Sequence, residues 1–242
     1  QDAGYIALAH GGQAWQDNTV FEAVVLGVGG AEYYQKAFVD LDMAALNSST
    51  TDEVFKVFGE LRQFIDTNAP GRDWNVATSM VINGEAAMQI MGDWAQGEFG
   101  VAGQTAGDEY DCLPGLGVYP VLDTGGDAFY FPKPNKNVEA MTAAQLEMAS
   151  LLVSKQVQVD FNLAKGSLPI RGDIDLTAAN GCMQKGLAIL ENPDNVLPSS
   201  EQTFSGDTQG EMDDLWQEFF SDTSISVEAA QARYVEIIAN AD

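Results

Sequence analysis

The feature that most constrains this chain is the alternation of short strand-like runs with longer stretches of helical periodicity. From Asp17, the run NTVFEAVVLGV places apolar side chains on one helical face, and AAMQIM, from Ala86 to Met91, has the pattern of a buried strand. Strands interleaved with helices predict an α/β architecture. With 242 residues, 45% of them apolar, the chain is long enough to bury a substantial core.

Helical signals dominate the first half of the chain. The helix that starts near Asp17 is expected to end or bend where glycines cluster, at Gly27, Gly29 and Gly30. Thr50 and Glu53 have the spacing of a capping box, which predicts a second helix that stops before Pro70. A third helix is predicted over 75–82. The apolar residues expected to be buried on the first two helices are Phe21, Val24, Val25, Val28, Val54, Phe55, Phe58, Leu61 and Ile65.

The second half repeats the mixture of strands and helices. Short strands are predicted near Val118 and over Ala128 to Pro134. A long helix is predicted over 139–159, followed by loops at 165–175 and by helices near 177–190, 209–220 and 226–240. Trp216 lies on the apolar face of the second of these last three helices and is assigned to the core. The residues of the long helix expected to face inward are Met141, Leu146, Ala149, Leu152 and Val153.

Charge excludes several classes of partner. The chain has 36 Asp and Glu against 11 Lys and Arg, a formal net charge of −25. Such a field repels nucleic acid and anionic membranes, so no nucleic-acid partner is expected. No run of 18 apolar residues suggests a transmembrane helix, and the opening QDAGYIALAHGG has no signal-peptide pattern. The chain is therefore expected to be processed or to begin within a longer protein.

The cysteines and the enzyme motifs give little direct chemistry. Cys112 and Cys182 with the single His10 cannot form a structural zinc site, and their spacing leaves a disulfide and two separate thiols equally open. The chain has no GxSxG, HExxH or phosphate-binding loop motif, so no cofactor, metal or catalytic residue is predicted. His10 is assigned a structural place or one at the edge of a cleft. A glycosidase pair among the many carboxylates remains an open alternative.

Tryptophans stand where the predicted elements begin or end. Trp15 precedes the first helix, Trp74 precedes the third, and Trp94 follows the strand that ends at Met91. Ligands of α/β proteins bind beyond the carboxyl ends of strands, which favours Trp94 as a ligand contact. An indole face stacks on the apolar face of a pyranose while polar neighbours bind its hydroxyls. Core packing is the alternative assignment for each tryptophan.

Several blocks of the chain resemble the glucose-type solute-binding proteins of bacterial ABC sugar importers. These blocks are HGGQAWQD (10–17), DWNVATSMVINGEAAMQIMGDWAQGEF (73–99), GGDAFYFPK (125–133) and FNLAKGSLPIRGDIDL (161–176). The resemblance implies a type II periplasmic-binding-protein-like fold of two α/β lobes that close on one sugar. It also implies an extracytoplasmic, monomeric protein, in the periplasm or attached at the cell surface, that delivers a monosaccharide to a membrane permease.

The resemblance also implies roles for particular residues. Trp74 and Trp94 are similar to the aromatic walls of the family's site, Asp127 to the carboxylate that binds hydroxyls, and Lys165 to the lysine that donates to sugar oxygens. Trp15 is a weaker candidate at the floor of the cleft. The resemblance further favours a disulfide between Cys112 and Cys182. Gln202 stands where family members often have a histidine after a Leu-x-Pro-Ser stretch, which leaves the sugar preference open.

By this resemblance the chain is mainly a C-terminal lobe. Residues 1–126 would be its first part, 127–175 the segment that recrosses the hinge and packs with the N-terminal lobe, and 176–242 its second part. The N-terminal lobe itself is absent from this chain. Two other hypotheses are kept beside sugar capture: a carboxylate-based glycoside hydrolase, and a non-catalytic surface interaction protein of a halophile.

Overall fold

The computed structural model describes residues 4–241, which form helices around two small parallel sheets. The strands are β1 (Ile6–Ala9), β2 (Ala86–Gln89), β3 (Leu122–Thr124) and β4 (Val196–Pro198). The helices are α1 (Ala14–Tyr34), α2 (Met43–Leu46), α3 (Ser49–Leu61), α4 (Trp74–Ile82), α5 (Gln96–Val101), α6 (Val138–Leu152), α7 (Lys155–Lys165), α8 (Gly181–Leu190), α9 (Ser200–Thr203), α10 (Gly206–Ser221) and α11 (Val227–Ala239). No helix among residues 4–241 is both long and apolar enough to cross a membrane.

Both sheets consist of one parallel strand pair, as an α/β architecture requires. β1 pairs with β2, with Ile6 opposite Ala86, and β3 pairs with β4, with Leu122 opposite Val196. The strand predicted from Ala86 is confirmed as β2, and the helix predicted over 75–82 is confirmed as α4. β2 ends at Gln89, however, and the predicted burial is wrong, since only Ala86 is buried and Met88 is 57% exposed. β1 was not predicted from the sequence, because its apolar run is only four residues long.

The aromatic side chains of α1, α3, α10 and α11 form the core. Trp216 is completely buried, its ring lies 4.0 Å from that of Phe21, and its Nε1 donates to Asn18 Oδ1. Trp216 therefore belongs to the core as the sequence predicts. The glycine cluster bends α1 at Gly30, which has φ 71° and ψ −178°, without ending the helix there. Further core side chains are Phe38, Phe55, Phe58, Phe219 and Tyr234.

Three local predictions in the first half of the chain are wrong. The capping box at Thr50 does not form, because the N-cap residue of α3 is Ser48, two residues earlier. The strand predicted near Val118 is absent, because Pro114–Gly117 form a short 3-10 turn in which the backbone of Gly115 and Leu116 is left-handed. Ile65 belongs to no helix but forms an isolated bridge with Leu8.

The segment from Asp127 to Leu152 differs most from the sequence prediction. Residues 128–134 are irregular and not a strand, since no described residue pairs with them. The long helix is broken at Val153 and Ser154 into α6 and α7. No residue of α6 is fully buried, and Leu146 is 66% exposed. The expected inward face is therefore largely uncovered by residues 4–241: Met141, Leu146 and Val153 are exposed, and Ala149 and Leu152 are half-buried. Helical periodicity indicated an apolar face here but could not supply the partner that buries it.

Candidate binding cleft

The sequence-predicted residues Trp74, Trp94, Asp127 and Lys165 line one open cleft of about 430 Å³, together with Gly97. These residues come from the start of α4, the turn after β2, the segment after β3 and the end of α7. Trp15 is not part of this lining. Its ring lies beside that of Trp94, with ring centroids 6.4 Å apart and an interplanar angle of 42°.

Trp94 is held in place by a close approach to the backbone. It lies in the 3-10 turn Asp93–Ala95, which comes shortly after the end of β2 at Gln89. A Cβ atom on Gly92 would lie 2.1 Å from the indole ring, so only glycine allows the ring to fold back over the chain at this point. The position beyond the carboxyl end of a strand is the one predicted from the sequence.

Lys165 and Asp127 form the charged part of the cleft. Lys165 ends α7, and Gly166 caps that helix in the left-handed conformation with φ 81°. The lysine Nζ lies 2.5 Å from Asp127 Oδ2, and the Asp127 side chain remains 61% exposed. A carboxylate that accepts and an ammonium that donates, side by side, can bind neighbouring hydroxyls through charge-assisted hydrogen bonds.

Hydrogen bonds join the 3-10 turn that contains Trp94 to the residues that follow Lys165. Asp93 accepts from Ser167 Oγ at 2.9 Å and from the Leu168 backbone N–H at 3.0 Å. Gln96 Nε2 donates to the Gly166 carbonyl at 2.8 Å. Desolvation raises the pKa of the Asp93 carboxyl, although both hydrogen bonds lower it. Sequence reasoning missed Asp93 and Gln96, because their partners lie some seventy residues away along the chain.

Two further polar residues near Trp15 and Trp74 were also missed. Gln13 Nε2 donates to Asp73 Oδ1 at 2.6 Å, and the Trp15 Nε1–H donates to Gln13 Oε1 at 2.9 Å. Gln13 is the residue before α1 and Asp73 the residue before α4. Their positions at two helix starts were the available signal, but nothing in the sequence showed that the two helix starts meet.

Other residues considered from the sequence lie away from the cleft lining. His10 is buried, with its Nε2 2.6 Å from Asp17 Oδ1 and its ring stacked on Phe220 at 5.1 Å, so it has a structural place. Gln202 lies in α9 with an exposed side chain. Neither residue is among those that line the cleft.

Cys112 and Cys182 form a disulfide, which confirms the pairing that the family resemblance favours. The bond joins an exposed loop to the first turn of α8. A carboxylate oxygen of Asp111 and both sulfur atoms lie within 4.8 Å of one another, but the sulfurs are committed to the disulfide and are not thiolate ligands.

Comparison with known protein families gives a direct match. The family model of the bacterial extracellular solute-binding proteins matches residues 1–158. A probable sugar-binding periplasmic protein of Brucella suis biovar 1 (strain 1330) is 45% identical over 185 residues, which cover 76% of this chain and 43% of the relative. The chain thus spans less than half the length of this relative. The relative is named as a binding protein, which agrees with the prediction that the chain is not an enzyme.

Solved structures show the same fold at low sequence identity. A chitin oligosaccharide binding protein superposes with a TM-score of 0.74 at 14% identity, over 99% of this chain and 61% of that one. The bacterial solute receptor AcbH, described as having an exclusive preference for β-D-galactopyranose, superposes with a TM-score of 0.74 at 18% identity, over 98% of this chain and 60% of that one. The predicted type II periplasmic-binding-protein-like fold is thereby confirmed, and the chain belongs to the family of bacterial extracellular solute-binding proteins.

Proposed function

We propose that the chain is the sugar-binding part of an extracytoplasmic protein that captures a monosaccharide and delivers it to the permease of an ABC importer. The observation that supports this proposal most directly is the convergence of Trp74, Trp94, Asp127 and Lys165 on one cleft. Aromatic faces and a carboxylate–ammonium pair are the groups that a pyranose needs, because its ring faces are apolar and its rim bears hydroxyls.

The cleft is large enough for one sugar ring. Its volume of about 430 Å³ falls within the range of small-molecule sites, roughly 300–1,000 Å³, but the cleft is open and sets no upper limit on the size of the ligand. Of the two similar structures described above, one is named for a chitin oligosaccharide and the other for β-D-galactopyranose, so the fold alone does not decide between an oligosaccharide and a monosaccharide. A glucose-like monosaccharide is the ligand we propose, with Trp74 and Trp94 on its faces and Asp127 and Lys165 at its hydroxyls.

We also propose that residues 127–175 pack against an N-terminal lobe outside these 242 residues. The exposed apolar side chains of the segment support this, since Tyr130 is 90% and Leu146 is 66% exposed. Large exposed apolar patches in a folded protein mark interaction surfaces. The length of the Brucella relative, of which the chain covers 43%, leaves ample sequence for such a lobe. Residues 1–126 and 176–242 would then form the C-terminal lobe.

Sugar capture would proceed by closure of the two lobes. The ligand binds the closed arrangement more tightly than the open one and so shifts the equilibrium towards closure. The closed form would then dock on the membrane permease from the periplasm or the outer cell surface. An enzyme is disfavoured because the matching family and relative are named for binding.

Tryptophan fluorescence tests the proposal. The chain is titrated with glucose, galactose, mannose, xylose and maltose, and the same titration is made with a fusion that adds the part of the Brucella relative not matched by this chain. We expect a saturable change with one monosaccharide, at least in the fusion, and its loss in Trp94→Ala. No saturable change in either protein with any sugar would contradict the proposal. In a separate assay with an aryl glycoside, release of the aryl aglycone would support the glycosidase alternative.

A further inference from the structure

The side-chain amide of Gln13 connects two helix starts that bear tryptophans. Its Nε2 donates to Asp73 Oδ1 at 2.6 Å, and its Oε1 accepts from Trp15 Nε1 at 2.9 Å and from Gln16 Nε2 at 3.0 Å. Asp73 precedes Trp74, the first residue of α4, and Trp15 lies in the first turn of α1. One amide therefore links the backbone that presents Trp15 to the backbone that presents Trp74.

The loops that contain Gln13 and Asp73 also contact each other through their backbones. The Gly12 N–H donates to the Arg72 carbonyl and the Gly71 N–H donates to the Gly12 carbonyl, each at 3.0 Å. A Cβ on Gly12 would lie 2.2 Å from the Ala69 carbonyl oxygen, so the two loops meet at a distance that only glycine permits. The Gln13 amide thus lies over a closely packed junction of two loops.

The chemistry of the partners specifies an amide at position 13. The indole N–H of Trp15 can only donate, and the carboxylate of Asp73 can only accept. A single side chain that satisfies both must accept at one atom and donate at another, as glutamine does. A glutamate of the same length would keep the bond from Trp15 but would place a carboxylate against Asp73.

We propose that Gln13 is a positioning residue that sets the relative placement of Trp15 and Trp74 and, through the Trp15–Trp94 ring contact, the aromatic walls of the cleft. This inference rests on the proposed sugar-binding function. Gln13 need not touch the ligand, because its effect passes through the three tryptophans. Asp73 acts together with Gln13, because its carboxylate accepts the hydrogen bond and so requires a donor at position 13.

A double-mutant cycle tests the proposal on the chain and on the fusion described above. D73N is the second single variant of the cycle: it keeps an acceptor oxygen for Gln13 but removes its charge, so sugar affinity is expected to fall less than in Q13E. Q13E loses the donor and places like charges together, so we expect affinity to fall about tenfold. Q13E/D73N restores the bond with reversed polarity, because the amide introduced at position 73 donates to the carboxylate introduced at position 13. This double variant is expected to recover affinity to within about threefold.

Indole resonances give a readout that does not depend on a ligand. In protein with ¹⁵N-labelled tryptophan, the Nε1–H signals of Trp74 and Trp94 are expected to move in Q13E and to return in Q13E/D73N. If Q13E does not fold, Q13N, whose amide is too short to reach Asp73, takes its place. Sugar affinity in Q13E equal to that of the unmodified protein, or a double variant as weak as Q13E, would overturn the proposal.

The same experiment separates this inference from the proposed function. If no protein of the series binds any sugar, the proposed function fails and the indole signals alone decide on Gln13. Unchanged signals of Trp74 and Trp94 in Q13E then reject the positioning role. Signals that move and return support it for whatever ligand the cleft takes.

Discussion

At the scale of single residues, the ion pair of Lys165 and Asp127 is the charged part of the cleft. Substitution of Lys165 by methionine keeps the length of the side chain and removes the donor and its charge. A hydrogen bond to a charged group contributes about 1.5–3 kcal/mol, so we expect sugar affinity to fall by roughly 10- to 100-fold, measured by fluorescence titration.

The matched control for this substitution is Lys56→Met. Lys56 also pairs with a carboxylate, that of Glu53, but the pair lies on the exposed surface of α3. Exposed pairs of this kind contribute little, so the control is expected to leave both affinity and stability almost unchanged. Equal sugar affinity in Lys165→Met and Lys56→Met would show that Lys165 does not contribute to sugar binding.

A second residue-scale prediction concerns the buried carboxyl of Glu22. Glu22 accepts from the Ser200 backbone N–H at 2.5 Å, and burial, together with the nearby charge of Asp123, raises its pKa to about 8. An acid whose folded pKa is raised keeps its proton in the folded state but loses it in the unfolded chain, so the free energy of unfolding falls as pH rises from about 4.5 to 8. Glu22→Gln keeps the acceptor and removes the charge.

We therefore expect Glu22→Gln to stabilise the protein at pH 8 by at least about 1 kcal/mol and to change it little at pH 5. Urea unfolding at the two pH values measures this difference. Glu53→Gln, on the exposed face of α3, serves as the matched control. If Glu22→Gln stabilises the protein less at pH 8 than at pH 5, Glu22 is ionised in the folded protein and the prediction is wrong.

At the residue scale, the family resemblance identified the cleft residues Trp74, Trp94, Asp127 and Lys165, which the structure brings together. It did not identify Gln13 and Asp73, because a hydrogen bond across sixty residues leaves no periodic or spacing signal in one sequence. The motif blocks contain both residues, but only their contact shows why an amide precedes α1.

At the scale of secondary-structure elements, the junction of the loops at Gly12 and Gly71 holds the start of α1 close to the start of α4. Gly12→Ala would force the Ala69 carbonyl away from a Cβ that starts 2.2 Å from it. We expect a loss of roughly 1–3 kcal/mol in the free energy of unfolding, because overpacking moves the backbone, together with weaker sugar binding.

The control for Gly12→Ala is Gly210→Ala within α10, where a Cβ meets no atom within 4 Å. Alanine in an open helical position stabilises by about 0.5–1 kcal/mol. The two substitutions are thus expected to shift the thermal unfolding midpoint in opposite directions. A Gly12→Ala variant as stable as Gly210→Ala would show that the junction tolerates a side chain.

Helices whose apolar side chains repeat at helical spacing could be predicted from the sequence. Elements that form or are buried only through contact with another segment could not. α10 has periodicity that matches its own buried face, since Met212, Trp216 and Phe219 are all buried. On α1, the predicted Phe21, Val24 and Val25 are buried. The run over 128–134 has the composition of a strand, but a strand exists only when a partner pairs with it, and none of the described residues does. The same reason explains why α6 is a helix with an uncovered apolar face.

At the scale of the whole molecule, this uncovered face yields a prediction about the proposed N-terminal lobe. Leu146→Ala is expected to cost under about 0.5 kcal/mol in the chain alone, since the side chain is 66% exposed. In the fusion that supplies the proposed lobe, the same change is expected to cost roughly 2 kcal/mol, because the proposal places the side chain in a buried contact there.

Leu215→Ala is the control for that comparison. Leu215 lies on α10 and is buried in the core of the protein. The substitution is therefore expected to lower the free energy of unfolding by roughly 2–5 kcal/mol with or without the added lobe. Urea unfolding of both variants, each made in the chain and in the fusion, measures the two effects. An identical cost of Leu146→Ala in the chain and in the fusion would mean that the lobe does not pack on α6.

The most direct test of the proposed sugar site is calorimetric titration of the fusion, and of its Trp94→Ala variant, with glucose, galactose, mannose and xylose. We predict a saturable, one-site binding isotherm with at least one monosaccharide, and a loss of roughly tenfold or more in affinity on removal of the indole. No binding of any monosaccharide, or binding unchanged by Trp94→Ala, would contradict the assignment of the cleft as the sugar site.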